Sequence, residues 1–215
     1  MTTRVKTRGG ALLLFLCFII VLSACSSSLA GSARVRYVID GDTIVLSNGK
    51  KVRYLGINAP EIPHKDSPRG EPLGMAAKEF NKDLVEGKVV HLEYGRVKRD
   101  RFGRLLAFVF LRDGRMVNEL LVRKGLAFVC LFDKHLKYRQ RLLSAQKEAI
   151  TRGLGIWGLP VERPERYYIG NKKTLRFHRP WCAYGRKTAP RNRIIFRDRK
   201  KAFLKGYCRC KKCLP

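Results

Sequence analysis

Residues 38–61 read VIDGDTIVLSNGKKVRYLGINAPE, and this stretch decides the fold. Apolar runs on both sides of Asn48-Gly49 predict a β-hairpin whose tight turn has positive φ at both central residues. Because a hairpin brings its outer ends together, we expect Asp42 and Glu61 to share one cleft into which Arg53 points. A metal-dependent phosphodiesterase needs ligands for a hard cation, a basic group for the phosphate and a further carboxylate, and this stretch offers all three.

Strand and helix patterns continue to residue 158. Segments rich in Val, Ile and Tyr predict strands at 34–39, 43–46, 51–57, 88–94 and 104–111. Apolar residues at helical spacing predict helices at 73–84, 117–124 and 135–152, each ending near a glycine. We therefore predict a mainly β fold with helices (α+β), in which residues 33–158 form a five-stranded OB-fold barrel with three helices.

The chain is strongly basic, with 46 Lys and Arg against 17 Asp and Glu and a net charge of +29. An anionic membrane surface or simple solubility is the competing explanation for this charge. Neither of these needs lysine and arginine spread through the folded segments, as they are here. The composition therefore favours a nucleic acid, DNA or RNA, as the partner. No protein partner is predicted.

The first 24 residues are typical of a secretory signal peptide. Arg4, Lys6 and Arg8 precede the apolar run 11–22, which is followed by small residues. That run is too short to span a membrane, since a spanning helix needs about 20 apolar residues. We therefore expect export across the inner membrane.

The four residues LSAC, 22–25, resemble a bacterial lipobox, in which the cysteine becomes the lipidated first residue of the mature protein. The resemblance implies a lipoprotein anchored to the membrane through Cys25, and Ser26 implies sorting to the outer membrane. Residues 25–32 are expected to form a flexible tether. The alternative is an ordinary cleaved signal followed by an incidental cysteine.

Several motifs occur in one order between residues 33 and 158. They are IDGDT (39–43), RYLGINAPE (53–61), DRFGRLLA (100–107), MVNELLVRKGLA (116–127) and GIW (155–157). One motif alone is weak evidence, but this ordered series resembles the staphylococcal nuclease family at similar spacing. The resemblance implies an OB-fold nuclease that hydrolyses phosphodiester bonds of DNA or RNA.

The resemblance also assigns catalytic residues. Hydrolysis adds negative charge to the phosphoryl oxygens, so the site must neutralise charge and activate a water molecule. Arg53 and Arg104 match the residues that clamp the scissile phosphate, and a guanidinium suits this task because it stays protonated and binds two oxygens at once. Glu61 matches the general base that takes a proton from the attacking water.

A calcium site is implied in the same way. Asp42, Asn58 and the backbone carbonyl of Ala59 match the calcium ligands, and Asp40 is expected just outside them. Hard carboxylate, amide and carbonyl oxygens are the usual ligands of Ca²⁺. The family has an aspartate at the position of Asn58, and losing one negative charge should weaken calcium binding by about tenfold or more.

Three residues are predicted to bind the nucleic acid, namely Arg101, Phe102 and Phe132. Phe102 stands where the family has a tyrosine that bonds a phosphate, so stacking is retained and the hydrogen bond is lost. A tyrosine platform that the family has after Gly125 is replaced here by FVCLF, 128–132. Base stacking is therefore expected at Phe132.

The C-terminal part reads as a separate module. Prolines and charged residues at 159–166 predict a linker. Residues 167–215 are close to the size at which a hydrophobic core alone gives only marginal stability, so that a staple, meaning a disulfide or a bound metal, is usual. The staple is predicted to be a closed, structural zinc site with four ligands, His178, Cys182, Cys210 and Cys213.

The motifs FHRPWC (177–182) and YCRCKKC (207–213) resemble the metal-binding domain of the DNA-repair methyltransferase Ada. The first ligand of that domain is a methyl-accepting cysteine. Because His178 takes its place, the resemblance implies Zn²⁺ binding without methyl transfer.

Disulfides are the alternative for these cysteines, since an oxidising compartment favours them. Beyond Cys25 the cysteines number five, so at least one stays unpaired; they are Cys130, Cys182, Cys208, Cys210 and Cys213. A disulfide arrangement does not account for His178, which favours zinc.

These features together predict a secreted, lipid-anchored, calcium-dependent nuclease with a zinc-stabilised basic tail. Two alternatives from other functional classes remain open. One is a surface nucleic-acid receptor whose metal binding has been abolished by Asn58. The other is a basic envelope adhesin that binds acidic polymers.

Overall fold

Five β-strands close into a barrel. The structure is a computed structural model that describes residues 1–2, 29–65, 68–133, 135–161 and 163–215. The elements up to residue 158 are β1 (Leu29–Asp40), β2 (Thr43–Leu46), β3 (Lys51–Tyr54), β4 (Ile57–Asn58), α1 (Gly74–Val85), β5 (Val89–Arg99), β6 (Leu105–Phe110), α2 (Val117–Arg123), β7 (Phe128–Val129) and α3 (Arg139–Thr151). The strand order around the barrel is β1-β2-β3-β6-β5. The predicted α+β fold with a five-stranded barrel and three helices is confirmed.

The predicted lipidation residue Cys25 and the predicted signal peptide, apart from residues 1–2, lie outside the described residues. Within the described part of the chain, no helix is both long enough and apolar enough to cross a membrane.

The first strand is longer than the sequence indicated. It begins at Leu29, inside the segment predicted as a tether, because Leu29 pairs with Glu93 and Ser32 pairs with His91 of β5. Leu29 is followed by the small residues Ala30, Gly31 and Ser32, which do not have the composition of a strand. Their pairing with a distant strand overrides that weak local preference.

The turn between β2 and β3 differs from the predicted type. Only Gly49 has a positive φ, of 78°. Its N–H donates to the carbonyl of Leu46 at 2.9 Å, and the Lys50 N–H donates to Asn48 Oδ1 at 3.1 Å. The hairpin is therefore closed by a turn followed by one left-handed glycine, which is the other common solution for a short hairpin.

The predicted strand 51–57 is interrupted after Tyr54. Gly56 has a φ of 75°, so the chain leaves the barrel there and Ile57–Asn58 pair with Phe128–Val129 in a small antiparallel ribbon. This ribbon places Asn58 at the end of the barrel where β1 meets β2.

Residues 167–215 contain a four-stranded sheet and two short helices. The elements are β8 (Tyr168–Asn171), β9 (Arg176–His178), α4 (Ala183–Arg186), β10 (Arg193–Phe196), α5 (Arg199–Leu204) and β11 (Cys208–Arg209). The strand order is β10-β8-β9-β11, and only β9 and β11 run parallel. We call residues 167–215 the C-terminal module.

The C-terminal module packs against the barrel and shares a hydrophobic core with it. The predicted linker at 159–166 stays a prediction. Phe203 of α5 is buried, and its ring lies 5.3 Å from Phe128, 5.0 Å from Trp157 and 5.0 Å from Phe177, measured between ring centroids. Gln146 of α3 donates to the carbonyl of Phe203. Aromatic side chains from both parts therefore pack in one cluster.

A disulfide between Cys130 and Cys208 adds a covalent link between the two parts. Gly206 permits the close approach beside it, because a Cβ at this position would lie 2.3 Å from Leu131 Cδ1. The remaining cysteines in the described chain, Cys182, Cys210 and Cys213, are buried free thiols.

The shared core predicts a large effect of Phe203→Ala. Removing a buried phenylalanine ring leaves a cavity and should lower the free energy of unfolding by about 3 kcal/mol or more. Urea denaturation followed by fluorescence and by circular dichroism should give coincident transitions for both parts. Leu204→Ala, at an exposed neighbouring position, is the control with a small expected change. Separate transitions for the barrel and the module would contradict a common core.

Candidate active site

A polar cavity of about 100 Å³ opens at the end of the barrel where the hairpin meets β4. Its lining consists of Asp40, Asp42, Thr43, Arg53, Asn58, Ala59, Pro60, Glu61, Arg104 and Lys211. The predicted catalytic residues and calcium ligands are thus brought together. One lining residue, Lys211, comes from the C-terminal module.

The turn Asp40-Gly41-Asp42 forms one wall. The Asp42 N–H donates to Asp40 Oδ1 at 2.9 Å, a local bond typical of an aspartate two residues before the donor. Gly41 packs tightly, since a Cβ there would lie 2.6 Å from the Ala59 Cβ and 2.7 Å from the Ala77 Cβ. Glycine at this position lets the turn approach both the Ala59 segment and α1.

Asp42 is the most connected acid of the cavity. Its Oδ2 accepts the Ala59 N–H at 2.6 Å and lies 2.9 Å from Arg53 Nη2, while its Oδ1 accepts the Thr43 hydroxyl at 3.1 Å. Burial raises the pKa of Asp42 to about 7, with Asp40 adding to the rise and Arg53 opposing it. A proton and a cation therefore compete for this carboxylate near neutral pH.

Arg53 is held in place by three acceptors. Its Nη1 donates to the carbonyl of Tyr54 at 2.7 Å, and its Nη2 donates to Asn58 Oδ1 at 2.9 Å in addition to its ion pair with Asp42. The guanidinium has further N–H groups beyond these bonds, which leaves donors for an incoming anion.

Asn58 adopts an orientation set by its neighbours. Because its Oδ1 accepts from Arg53, its Nδ2 donates to the Ala59 carbonyl at 3.0 Å. Asp42, Asn58 and Ala59 nevertheless supply carboxylate, amide and carbonyl oxygens to one cavity, which is a donor set suited to a hard divalent cation such as Ca²⁺.

Glu61 is fixed from two sides. Its backbone N–H donates to Glu71 Oε2 at 3.0 Å, and its backbone carbonyl accepts the Glu71 N–H at 2.8 Å. Glu71 in turn forms an ion pair with Arg209 of the C-terminal module. The Glu61 side chain lies 2.9 Å, at Oε1, from Lys211 Nζ. Burial alone would raise the pKa of Glu61, but the hydrogen bond and charge of Lys211, aided by Arg53, hold it below its usual value.

Arg104 lines the cavity from a short loop that precedes β6. Its Nε and Nη2 lie 2.8 Å and 2.7 Å from Asp100 Oδ2, so the carboxylate orients the guanidinium. The exposed ring of Phe102 lies next to it, with the Arg101 and Arg104 guanidinium carbons 4.8 Å and 5.4 Å from the ring centroid. Arg101 and Phe102 are therefore beside the cavity without lining it.

Phe132 lies apart from the cavity lining and is exposed. Its ring contacts the guanidinium of Arg176 in the C-terminal module, at 5.4 Å from the centroid. The prediction that Phe132 binds substrate stays a prediction.

The four predicted zinc ligands form a compact buried group. The candidate ligand atoms of His178, Cys182, Cys210 and Cys213 all lie within 4.8 Å of one another. Burial, together with the charge of Arg176, lowers the pKa of His178, so the imidazole is neutral and able to act as a ligand. Three thiols and one imidazole match a closed tetrahedral zinc site.

Reasoning from sequence missed three residues that shape the cavity, namely Glu71, Arg209 and Lys211. Arg209 meets its partner across 138 positions and Lys211 across 150 positions of the sequence. No local pattern connects such distant residues.

Residues 51–158 match the family described as "Staphylococcal nuclease homologue". The chain is 40% identical over 126 residues to "Thermonuclease" of Staphylococcus intermedius, covering 57% of this chain and 74% of that protein. It is 41% identical over 124 residues to "Endonuclease YncB" of Bacillus subtilis (strain 168), covering 55% and 58%. An "Uncharacterized endonuclease" of Escherichia coli is 38% identical over 99 residues, covering 45% and 59%.

The raised pKa of Asp42 predicts a pH dependence of calcium binding. Below about pH 7 the carboxylate is protonated, so the apparent calcium affinity should fall by about tenfold for each further unit of pH. Calorimetric calcium titrations between pH 6 and pH 8 measure this. Asp40→Asn removes the neighbouring charge and should move the midpoint to lower pH. A constant affinity over this range would contradict the assignment.

Proposed function

The chain belongs to the staphylococcal nuclease family and is a nuclease, and from this premise we propose a secreted, lipid-anchored, calcium-dependent enzyme that hydrolyses phosphodiester bonds of DNA or RNA. The observation that carries the proposal is the single cavity in which Asp42, Arg53, Glu61 and Arg104 meet. Acidic oxygens for a cation lie there beside guanidinium groups for a phosphate.

Phosphate binding is the task of the two arginines. Arg53 and Arg104 line the same small cavity, and each is oriented by a carboxylate, Asp42 and Asp100 respectively. A phosphodiester between them accepts hydrogen bonds from both guanidinium groups, and these bonds strengthen as negative charge develops on the phosphoryl oxygens. Because the carboxylates already orient the two guanidinium groups, these groups need little reorientation during the reaction.

Glu61 is the general base in this proposal. It is the cavity carboxylate that lies away from the Asp40-Gly41-Asp42 turn, and its backbone is held by Glu71. The pKa of Glu61 lies below its usual value, so the carboxylate is ionised at neutral pH and can accept a proton from an attacking water.

Asp42, Asn58 and the Ala59 carbonyl would hold calcium, with Asp40 behind them. When bound, the cation supplies positive charge that neutralises the developing charge on the phosphoryl group. Asn58 contributes a neutral oxygen where the resemblance implies aspartate, and that oxygen already accepts a hydrogen bond from Arg53. We therefore propose weaker calcium binding than a site with aspartate would give.

Zinc at His178, Cys182, Cys210 and Cys213 is the second proposed metal, with a structural role. The four candidate ligand atoms are buried together, while the disulfide found among the described residues lies elsewhere, at Cys130 and Cys208. A closed ligand set leaves no open position for substrate, so this site stabilises the C-terminal module.

Export and anchoring rest on the residue pattern at the N-terminus. A basic start, a short apolar run and LSAC support secretion across the inner membrane and lipidation of Cys25, with the enzyme held at the outer membrane. DNA and RNA are the polyanions that the net charge of +29 favours as substrates.

Cleavage of a single-stranded DNA tests the nuclease proposal. Glu61→Gln should lower kcat by about 100-fold or more, because a general base contributes at least that much. Arg104→Ala should lower it by a similar factor, because a preorganised cation is lost. Arg112→Ala, at an exposed arginine that does not line the cavity, is the matched control and should cleave normally.

Calcium should be required in this assay, and its re-addition after a chelator should restore cleavage. Binding of the DNA without calcium-dependent cleavage at any pH from 7 to 10 would favour the receptor alternative. Unchanged rates in the Glu61 and Arg104 variants would show that the assigned roles are wrong.

Elemental analysis of the purified chain tests the zinc proposal. About one zinc ion per chain is expected, and His178→Ala should lose most of it because one of the ligands is removed. His135→Ala, at an exposed histidine, should keep it. Absence of zinc together with a Cys210 disulfide in the mass spectrum would establish the disulfide alternative.

A further inference from the structure

Lys211 places a cation from the C-terminal module inside the nuclease cavity. Its Nζ lies 2.9 Å from Glu61 Oε1, and it lines the same cavity as Arg53 and Arg104. Residue 211 lies outside the segment that matches the nuclease family, 51–158. This chain therefore adds a positively charged group to the cavity from a part of the sequence that the family match does not include.

The backbone that carries Lys211 is well fixed. The Cys210 N–H donates to the Phe177 carbonyl at 2.9 Å, and the Leu214 N–H donates to the Cys210 carbonyl at 3.0 Å. Cys210 and Cys213, on either side of the lysine, belong to the buried group of candidate zinc ligands. The turn is thus held from within the module, and it presents the lysine to the cavity.

A second contact fixes the turn against the barrel. Arg209 precedes it by two positions, forms an ion pair with Glu71 and lies over the ring of Phe128 at 4.8 Å from the centroid. Because Glu71 also accepts the Glu61 N–H, the same contact aligns the carboxylate that Lys211 meets. The position of Lys211 relative to Glu61 therefore follows from several bonds and not from one flexible side chain.

The ion pair of Lys211 is much more exposed to solvent than the ion pair of Arg53 in the same cavity. The side chains of Arg53 and Asp42 are 12% and 7% exposed, whereas those of Lys211 and Glu61 are 67% and 38% exposed. Exposed pairs contribute little to stability, so a phosphate can replace the carboxylate as the partner of the ammonium group at small cost. The four-carbon stem of lysine gives the reach for this exchange.

We propose that Lys211 is a substrate-binding residue of the nuclease cavity. When a polynucleotide enters, the Lys211 ammonium moves from Glu61 to a phosphate oxygen, which adds a third cation to Arg53 and Arg104 and leaves Glu61 Oε1 accessible. The active cavity is therefore built from both the barrel and the C-terminal module. This inference rests on the proposed function of the cavity as a nuclease site.

Lys212 provides a matched control, because it is an exposed lysine in the same turn and does not line the cavity. Lys211→Ala and Lys212→Ala change the net charge equally. In a cleavage assay with calcium and a single-stranded DNA, Lys211→Ala should lower kcat/KM by about tenfold relative to Lys212→Ala, chiefly through KM, since it loses a charged hydrogen bond to substrate. Lys211→Arg should keep most of the activity.

A binding measurement separates this inference from the nuclease proposal. Fluorescence anisotropy with a labelled single-stranded DNA in calcium-free buffer should show weaker binding by Lys211→Ala than by Lys212→Ala, whether or not the chain cleaves. If the unmodified chain binds but never cleaves, the nuclease proposal fails and the binding comparison still decides the role of Lys211. Thermal melting checks that both variants are folded.

Two outcomes would overturn the inference. Equal binding by the two alanine variants would show that the lysine does not contact substrate. A higher kcat/KM for Lys211→Ala than for the unmodified chain would show that the lysine blocks Glu61 instead of assisting the substrate.

Discussion

The site depends on keeping the carboxylate of Asp42 buried. A buried charge is costly unless it is paired and hydrogen-bonded, and Asp42 has three partners from three different segments, namely the Arg53 guanidinium, the Ala59 N–H and the Thr43 hydroxyl. Satisfying this one group therefore draws β2, β3 and the end of β4 together. The same bonds align Arg53 with Asn58 and hold Ala59 in the cavity wall. The cavity therefore forms where the hairpin and the residues after β4 contact the buried Asp42.

The C-terminal module completes this arrangement in two ways. Its aromatic core, centred on Phe203, and the Cys130 to Cys208 disulfide fix its position on the barrel. Its polar residues Arg209 and Lys211 then reach Glu71 and Glu61. Apolar packing and a covalent link thus determine where the charged groups lie. The exposed pair of Lys211 and Glu61 alone would be too weak to position a module. A change in the module is expected to alter the cavity as well as the stability of the fold.

The sequence predicted those features that leave a local pattern or an ordered series of motifs. The hairpin, the barrel and the grouping of Asp42, Arg53, Glu61 and Arg104 followed from strand composition and from the resemblance to a family. The contacts of Arg209 and Lys211 did not, because partners more than 130 positions apart leave no periodic signal. The start of β1 was missed since Leu29 pairs with a distant strand despite a weak local preference. At Asn48-Gly49 the dipeptide indicated a turn correctly but not its type, because a left-handed glycine occurs in more than one class of hairpin loop.

The central claim is that one cavity, assembled from the barrel hairpin and the C-terminal module, holds both a divalent cation and a substrate phosphate. A crystal structure with calcium and a short, cleavage-resistant phosphorothioate DNA tests it most directly. The account predicts calcium at Asp42, Asn58 and the Ala59 carbonyl, with a phosphate in contact with Arg53, Arg104 and Lys211. A phosphate bound on a different surface, or a cation held away from Asp42, would contradict it.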